Sequence, residues 1–279
     1  MSAMRADEID ASRPNREALR YLNERRAPYL VGGTHCCQAH TRIQAHSEDL
    51  DLFVKEADRV RVLDVLRERG WEAIVERPHW LTKARRGDAV IDVIYGSGNG
   101  LAKVDDLWFR HSVPGQVLGV ETRLVPVEEL IWSKAFMMDK YRFEGADVAH
   151  LLLVQAERIN WDRLLWRFGR HWRVLLGHLL LFGYIYPEKQ GLIPRALVDT
   201  LLVLLRREQE ESAPESVDPD SALRPACRGT LLSREQYRVD VDVWGFRDAR
   251  LEPEVGAGAA SSEPAAWAPV REGQVVAGA

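Results

Sequence analysis

Asp49 and Asp51 stand two residues apart in Glu48-Asp-Leu-Asp-Leu-Phe53. On an extended strand that spacing puts both carboxylates on one face, with Cα atoms about 6–7 Å apart. Hard oxygens so placed suit Mg²⁺, which in phosphoryl and nucleotidyl transfer neutralises triphosphate charge and aligns the nucleophile. Asp92 is the candidate third acid, because Val90-Ile-Asp-Val-Ile94 is otherwise apolar and a charge there must be paired, hydrated or metal-bound. A structural salt bridge to an arginine such as Arg85 is the competing account. Gly32-Gly33-Thr34 adds an anion site, since N–H groups at a helix start point outward and glycine lets phosphate oxygens approach closely.

The elements that must position these residues follow from the pattern. Residues 29–33 read as a short buried strand running into the glycine turn, with a helix starting at Thr34 as its N-cap. Residues 49–54 alternate with period two, turning Asp49 and Asp51 one way and Leu50 and Leu52 the other. An amphipathic helix over 58–69 has Val62, Leu63 and Leu66 inward and Gly70 at its end. Strands follow at 71–76, 80–85 and 89–95, the last two joined by a Gly87-Asp88 hairpin turn. Beyond the Gly96–Gly100 loop and a short extended piece near 122–125, the pattern becomes helical at 127–141, 145–157, 161–183 and 194–209. The class is α+β: a palm-like mixed sheet with flanking helices, then a helical C-terminal half and a disordered tail. The expected divisions are a helical segment over 1–24, a core over 25–125, a helical subdomain over 126–209, a linker over 210–227, a docking segment over 228–250 and a tail over 251–279.

Leu30-Val-Gly-Gly-Thr34 followed by Glu48-Asp-Leu-Asp-Leu-Phe53 resembles the active-site signature of minimal nucleotidyltransferases in the DNA-polymerase-beta superfamily, and is most similar to the bacterial AbiEii-like proteins of type IV toxin–antitoxin systems. The resemblance extends over about residues 25–155, through Val127–Lys134 and Glu144–Leu152. It implies a triphosphate at Gly32, Gly33 and Thr34, two Mg²⁺ ions on Asp49, Asp51 and Asp92, a proton acceptor in Asp92, and a phosphate contact from Lys134. The activity it implies moves a nucleoside monophosphate from an NTP, ATP among them, to a hydroxyl acceptor: a small molecule, tRNA or other RNA, or a protein. The rival class is a weakly catalytic, antitoxin-like nucleotide-binding partner protein, with the helical half and the 228–250 segment as docking surface.

Ordinary readings stand beside these. Lys134 sits in an amphipathic helix, where a solvated lysine is the default, and Arg42 either contacts phosphate or snorkels. His35, Cys36, Cys37, His40 and His46 suggest zinc, but adjacent cysteines on a helix diverge, so thiols packed under the sheet are expected. Trp161, Trp166, Phe168 and Trp172 read as core. Arg163, Arg167, Arg170 and Arg173 recur as a basic helix face, either solvated or acid-paired, or guiding RNA or phosphate. A formal charge of −4 gives no global attraction to nucleic acid, so any RNA contact is local. Three cysteines and an acidic N-terminus point to the cytoplasm. No membrane span is expected, since the apolar run from Val174 to Tyr186 falls short of the about 20 residues a bilayer needs.

Overall fold

The computed structural model describes residues 12–45, 47, 49–211 and 224–252. His46, Glu48, most of the expected linker and nearly all of the expected tail lie outside them. The chain forms two compact units, Met1–Leu130 and Ile131–Ala279.

The first unit runs α1 (Arg13–Glu24), β1 (Leu30–Val31), α2 (Gly33–Thr41), β2 (Asp49–Phe53), α3 (Arg59–Arg67), β3 (Glu72–Arg77), β4 (Leu81–Arg86), β5 (Ala89–Ile94), α4 (Asp106–Arg110), β6 (Val113–Val117) and β7 (Val120–Leu124). The strands form one mixed sheet in the order β3-β4-β5-β2-β1-β7-β6. β2 runs parallel to β5 and antiparallel to β1, and the β4–β5 pair is the expected hairpin. Alternation then sorts the side chains. Leu50, Leu52, Ile91, Val93 and Ala84 are buried on one face, while Asp49, Asp51, Asp92 and Lys83 share the other and are only partly covered. Burying that apolar face is what fixes the register, because a slip of one residue would turn every aspartate into the core.

Three features of this unit depart from the sequence expectations. The first helix after β1 begins at Gly33, with Gly32 rather than Thr34 at the N-cap. α4 and β6 were not expected at all: α4 is a single short turn capped by Asp105, whose carboxylate accepts from the Leu107 and Trp108 amides, and β6 carries Pro114 and Gly115. Such a strand is tolerated because β6 lies at the sheet edge, where proline breaks no ladder. Leu118 and Gly119, both at positive φ, turn β6 into β7.

Helix α5 (Val127–Ala135) holds the boundary between the units and stops short of the expected 141. The second unit contains α6 (Gly145–Gln155), α7 (Trp161–Phe168), α8 (Trp172–Ile185) and α9 (Arg195–Glu211), followed by a small two-stranded pair, Ala226–Cys227 with Arg247–Asp248, around the helix Arg238–Asp242. No helix among the described residues is long and apolar enough to cross a membrane. The single helix expected over 161–183 is broken at Gly169, whose φ of 45° suits glycine and few other residues. The break turns Phe168 and Trp172 into the core, and Phe168 stacks on Phe136 at 5.8 Å. The expected basic face is corrected at Arg163 and Arg167 and takes its acid-paired form at Arg173. Arg163 and Arg167 are buried, Arg167 lies over the Trp132 and Trp166 rings, and Arg173 pairs with Glu208. In the 228–250 segment Leu231 and Ala249 are buried, but Val243 and Trp244 face solvent.

His171, at the break, meets the Phe136 ring edge-on and accepts a hydrogen bond from Arg170 Nε at 3.3 Å. Burial first, then the charges of Arg170 and Arg228, push its pKa down to about 4. The folded state therefore favours the neutral ring. Its contribution is whole above the unfolded value of about 6.5 and is lost as pH falls towards 4. Discounted for the ring's partial exposure, the loss is about 1–2 kcal/mol. Urea unfolding at pH 7 and pH 4.5 should show His171→Gln losing less stability on acidification than the parent by about that amount; an equal loss would contradict it.

Candidate functional site

The site is assembled at the open ends of β1 and β2. β1 delivers the chain to Gly32, whose amide donates to the Asp51 carbonyl at 3.0 Å. Neither glycine can carry a side chain. A Cβ at Gly32 would fall inside the Phe53 ring, and one at Gly33 would fall inside the Asp51 carboxylate, at Oδ2. Gly33 also has φ +55°, a conformation that costs other residues strain. The two glycines thus let the first turn of α2 lie directly on the β2 side chains. The first intrahelical bond there runs from Cys36 N to Gly32 O, so the amides before it have no partner within the helix. The first turn contains no acidic residue.

Neighbouring parts hold this contact in place. Phe53 stacks on Trp108 of α4 at 5.4 Å, so the unexpected helix supplies the floor beneath Gly32. The opposite side of α2 is pinned to the residue after β7: Cys36 Sγ donates to Val125 O at 3.5 Å and His40 Nε2 lies 3.0 Å from the same carbonyl. Cys36 and His40 are therefore anchors. Among the described residues no cluster of three His, Cys, Asp or Glu side chains stands ready to hold a metal, and His46 lies outside them. Arg42 caps the far end of α2 with φ 62°, nine residues or about 13 Å along the helix from the glycine turn.

The three acids expected to converge lie on one face of the sheet, without forming a cluster of three metal-ready side chains among the described residues. Asp51 of β2 stands in register with Asp92 of the parallel strand β5, and Asp49 lies two residues before Asp51. The partner of Asp92, however, is Lys83 rather than Arg85. Lys83 Nζ donates to both Asp92 oxygens, at 2.8 and 3.1 Å, and lies 3.9 Å from Glu76. Arg85 stands opposite Val90 and is exposed. Burial raises the Asp92 pKa, against the hydrogen bond and charge of Lys83, and Asp49 and Glu76 add to the rise. For Lys83, burial works to depress the ammonium, but Asp92 foremost, with Asp49 and Glu76, carries its pKa above the ordinary lysine value. Lys83 is the site residue that side-chain patterning missed. The Gly87-Asp88 turn held the signal: it pairs Arg86 with Ala89 and hence Lys83 with Asp92.

Lys134, the remaining expected contact, belongs to the second unit. It is buried, and its ammonium donates to Glu144 and Asp147, each at 2.8 Å. Those two carboxylates account for its position.

As a donor set, Asp49 and Asp51 offer hard oxygens on one strand face beside a turn kept open by a missing Cβ. That combination fits a divalent cation carrying a phosphate group. Asp92 lies within the same field of negative charge, with both oxygens taken by Lys83.

The family model described as "Nucleotidyl transferase of unknown function (DUF2204)" matches residues 11–162. No curated protein matches the chain. Among solved structures, the chain is similar to ANT(2″)-Ia in complex with adenylyl-2″-tobramycin, at 20% identity over 47% of this chain and 76% of that one, with a TM-score of 0.37. It is also similar to the lincosamide antibiotic adenylyltransferase LnuA bound to lincomycin, at 12% identity over 50% and 94%, with a TM-score of 0.38. A third is JHP933 from Helicobacter pylori, at 12% identity over 75% and 97%, with a TM-score of 0.39.

The glycine contact has a direct check. Gly87 also has positive φ, but nothing lies within 4 Å of a Cβ built there, so Gly87→Ala should cost only the backbone term of about 1 kcal/mol. Gly33→Ala adds the collision with Asp51 and should cost about 1–3 kcal/mol more in urea unfolding. Equal losses for the two variants would contradict the packing described.

Proposed function

This chain belongs to the nucleotidyl transferase family, and from that membership we propose that it transfers a nucleoside monophosphate from a Mg²⁺-bound NTP to a hydroxyl acceptor, the hydroxyl attacking the α-phosphate and pyrophosphate leaving, with Asp49 and Asp51 as the metal-holding pair. The observation that carries this reading is the contact of Gly33 with the Asp51 carboxylate. It sets a cation-binding oxygen against the start of a helix, so that metal and triphosphate would be recognised by adjoining groups.

The amides of the α2 first turn would receive the triphosphate tail, aided by the positive end of the helix. Asp49 and Asp51 would hold the cation. When bound, Mg²⁺ supplies charge neutralisation on the triphosphate and lowers the pKa of a coordinated hydroxyl. Asp92, on the strand beyond β2 as seen from the glycine turn, would, once released by Lys83, hold the acceptor-side metal and take the acceptor's proton. Burial favours this role, since it moves the carboxyl pKa upward and makes Asp92 a better base than a solvated aspartate. Much of the rate would come from holding the donor and acceptor in line.

Removing both metal carboxylates while keeping their shape tests the reading. The Asp49→Asn, Asp51→Asn double variant should lose Mg-NTP binding in calorimetry, and transfer of label from an α-labelled NTP to any acceptor pool should fall by about a hundredfold or more. Undiminished Mg-NTP affinity in the double variant would refute the metal assignment. Tight Mg-NTP binding by the parent with no label transferred to RNA, protein or small hydroxyl compounds would favour a nucleotide-binding partner protein instead.

A further inference from the structure

We propose that Lys83 is the resident counter-cation of the acidic face, a positioning residue that occupies Asp92 and must be displaced before a divalent ion can use that carboxylate. The inference rests on the metal-site reading above.

The register puts Asp51, Asp92 and Lys83 side by side across three adjacent strands, on the face of the sheet that the core leaves open. Carboxylates that share one face repel one another, and the cost of holding them rises as water is withdrawn. Lys83 answers that charge from within the fold. Its ammonium takes both oxygens of Asp92, and the two side chains are covered to a similar degree, 17% and 14% exposed. A metal ligand at Asp92 needs an oxygen lone pair now directed at Nζ, so metal and lysine compete for one group. Glu76, 3.9 Å away, gives the displaced ammonium a second carboxylate on the same face, which makes the exchange a short movement between partners rather than the stranding of a half-buried charge.

The competition implies an order of events. A divalent ion would use Asp92 last, because both of its oxygens are held by Lys83. Asp92 joins when the triphosphate brings negative charge of its own into the site and lowers the cost of adding a cation. Lys83 would thereby keep the metal affinity of the free protein low and tie full metal occupancy to nucleotide binding.

Titration of the full chain with Mn²⁺ alone, followed by electron paramagnetic resonance, separates this account from its alternatives. Lys83→Met should bind Mn²⁺ about tenfold more tightly than the parent in the absence of nucleotide, and Lys83→Arg, which keeps the charge, should stay near the parent. Adding Asp92→Asn to Lys83→Met should abolish the gain. Lys83→Gln, uncharged but polar, should show the same gain and serves if the Met variant does not fold. Affinity unchanged or weakened in both uncharged variants, with Mn²⁺ binding still lost in Asp49→Asn, would overturn the role of Lys83 and leave the metal pair standing. Absence of Mn²⁺ binding in the parent and every variant, with and without NTP, would defeat the metal-site reading itself and this inference with it.

Discussion

The organising constraint is a missing methyl group. Because Gly33 has no Cβ, the first turn of α2 can rest on the Asp51 carboxylate, and because Gly32 has none, the same turn clears the Phe53 ring. The rest of the first unit preserves this approach. β1 and β2 are hydrogen-bonded up to the Gly32 amide, Trp108 backs Phe53 from α4, and Val125 receives Cys36 and His40 from the far side of the helix. Packing the apolar face of the sheet stabilises the fold, and the aspartates gain their positions from it without contributing to that burial.

Electrostatics sets the second constraint. A face bearing Asp49, Asp51 and Asp92 is costly in the folded protein unless a cation attends it. Lys83 meets that demand at Asp92, whose two oxygens it holds. If Asp92 serves the proposed metal site, stability and function are coupled there: the pairing that makes its carboxylate tolerable would also limit its access to metal. Natural proteins accept such compromises at functional positions and rely on well-packed surroundings to hold them.

The parts of this account legible in the sequence are those written in local pattern. Alternation in Asp49–Phe53 gave a strand with both acids on one face, and the glycine pair gave a turn into a helix. The α+β order, a mixed sheet followed by helices, follows from the change of period along the chain. What stayed hidden depends on pairing between distant segments or on single backbone angles. Lys83 looks like any surface lysine until the hairpin register sets it opposite Asp92. β6 is disguised by Pro114 and Gly115, which only an edge position excuses, and α4 is too short to show a period. Arg163 and Arg167 suggested a solvated face because their spacing is helical, yet tertiary packing buries both, Arg167 over the Trp132 and Trp166 rings. Gly169 hid a break between two stretches of helical spacing, Trp161–Phe168 and Trp172–Ile185.

The central claim is that the glycine turn and the strand pair Asp49 and Asp51 form one site for a metal-bound triphosphate. A crystal structure with Mn²⁺ and a non-hydrolysable NTP analogue, with manganese located by its anomalous scattering, tests this most directly. The account predicts manganese bound by carboxylate oxygens of Asp49 and Asp51, with the triphosphate against the amides of Gly33 and Thr34. Manganese elsewhere, or a triphosphate remote from the first turn of α2, would contradict it.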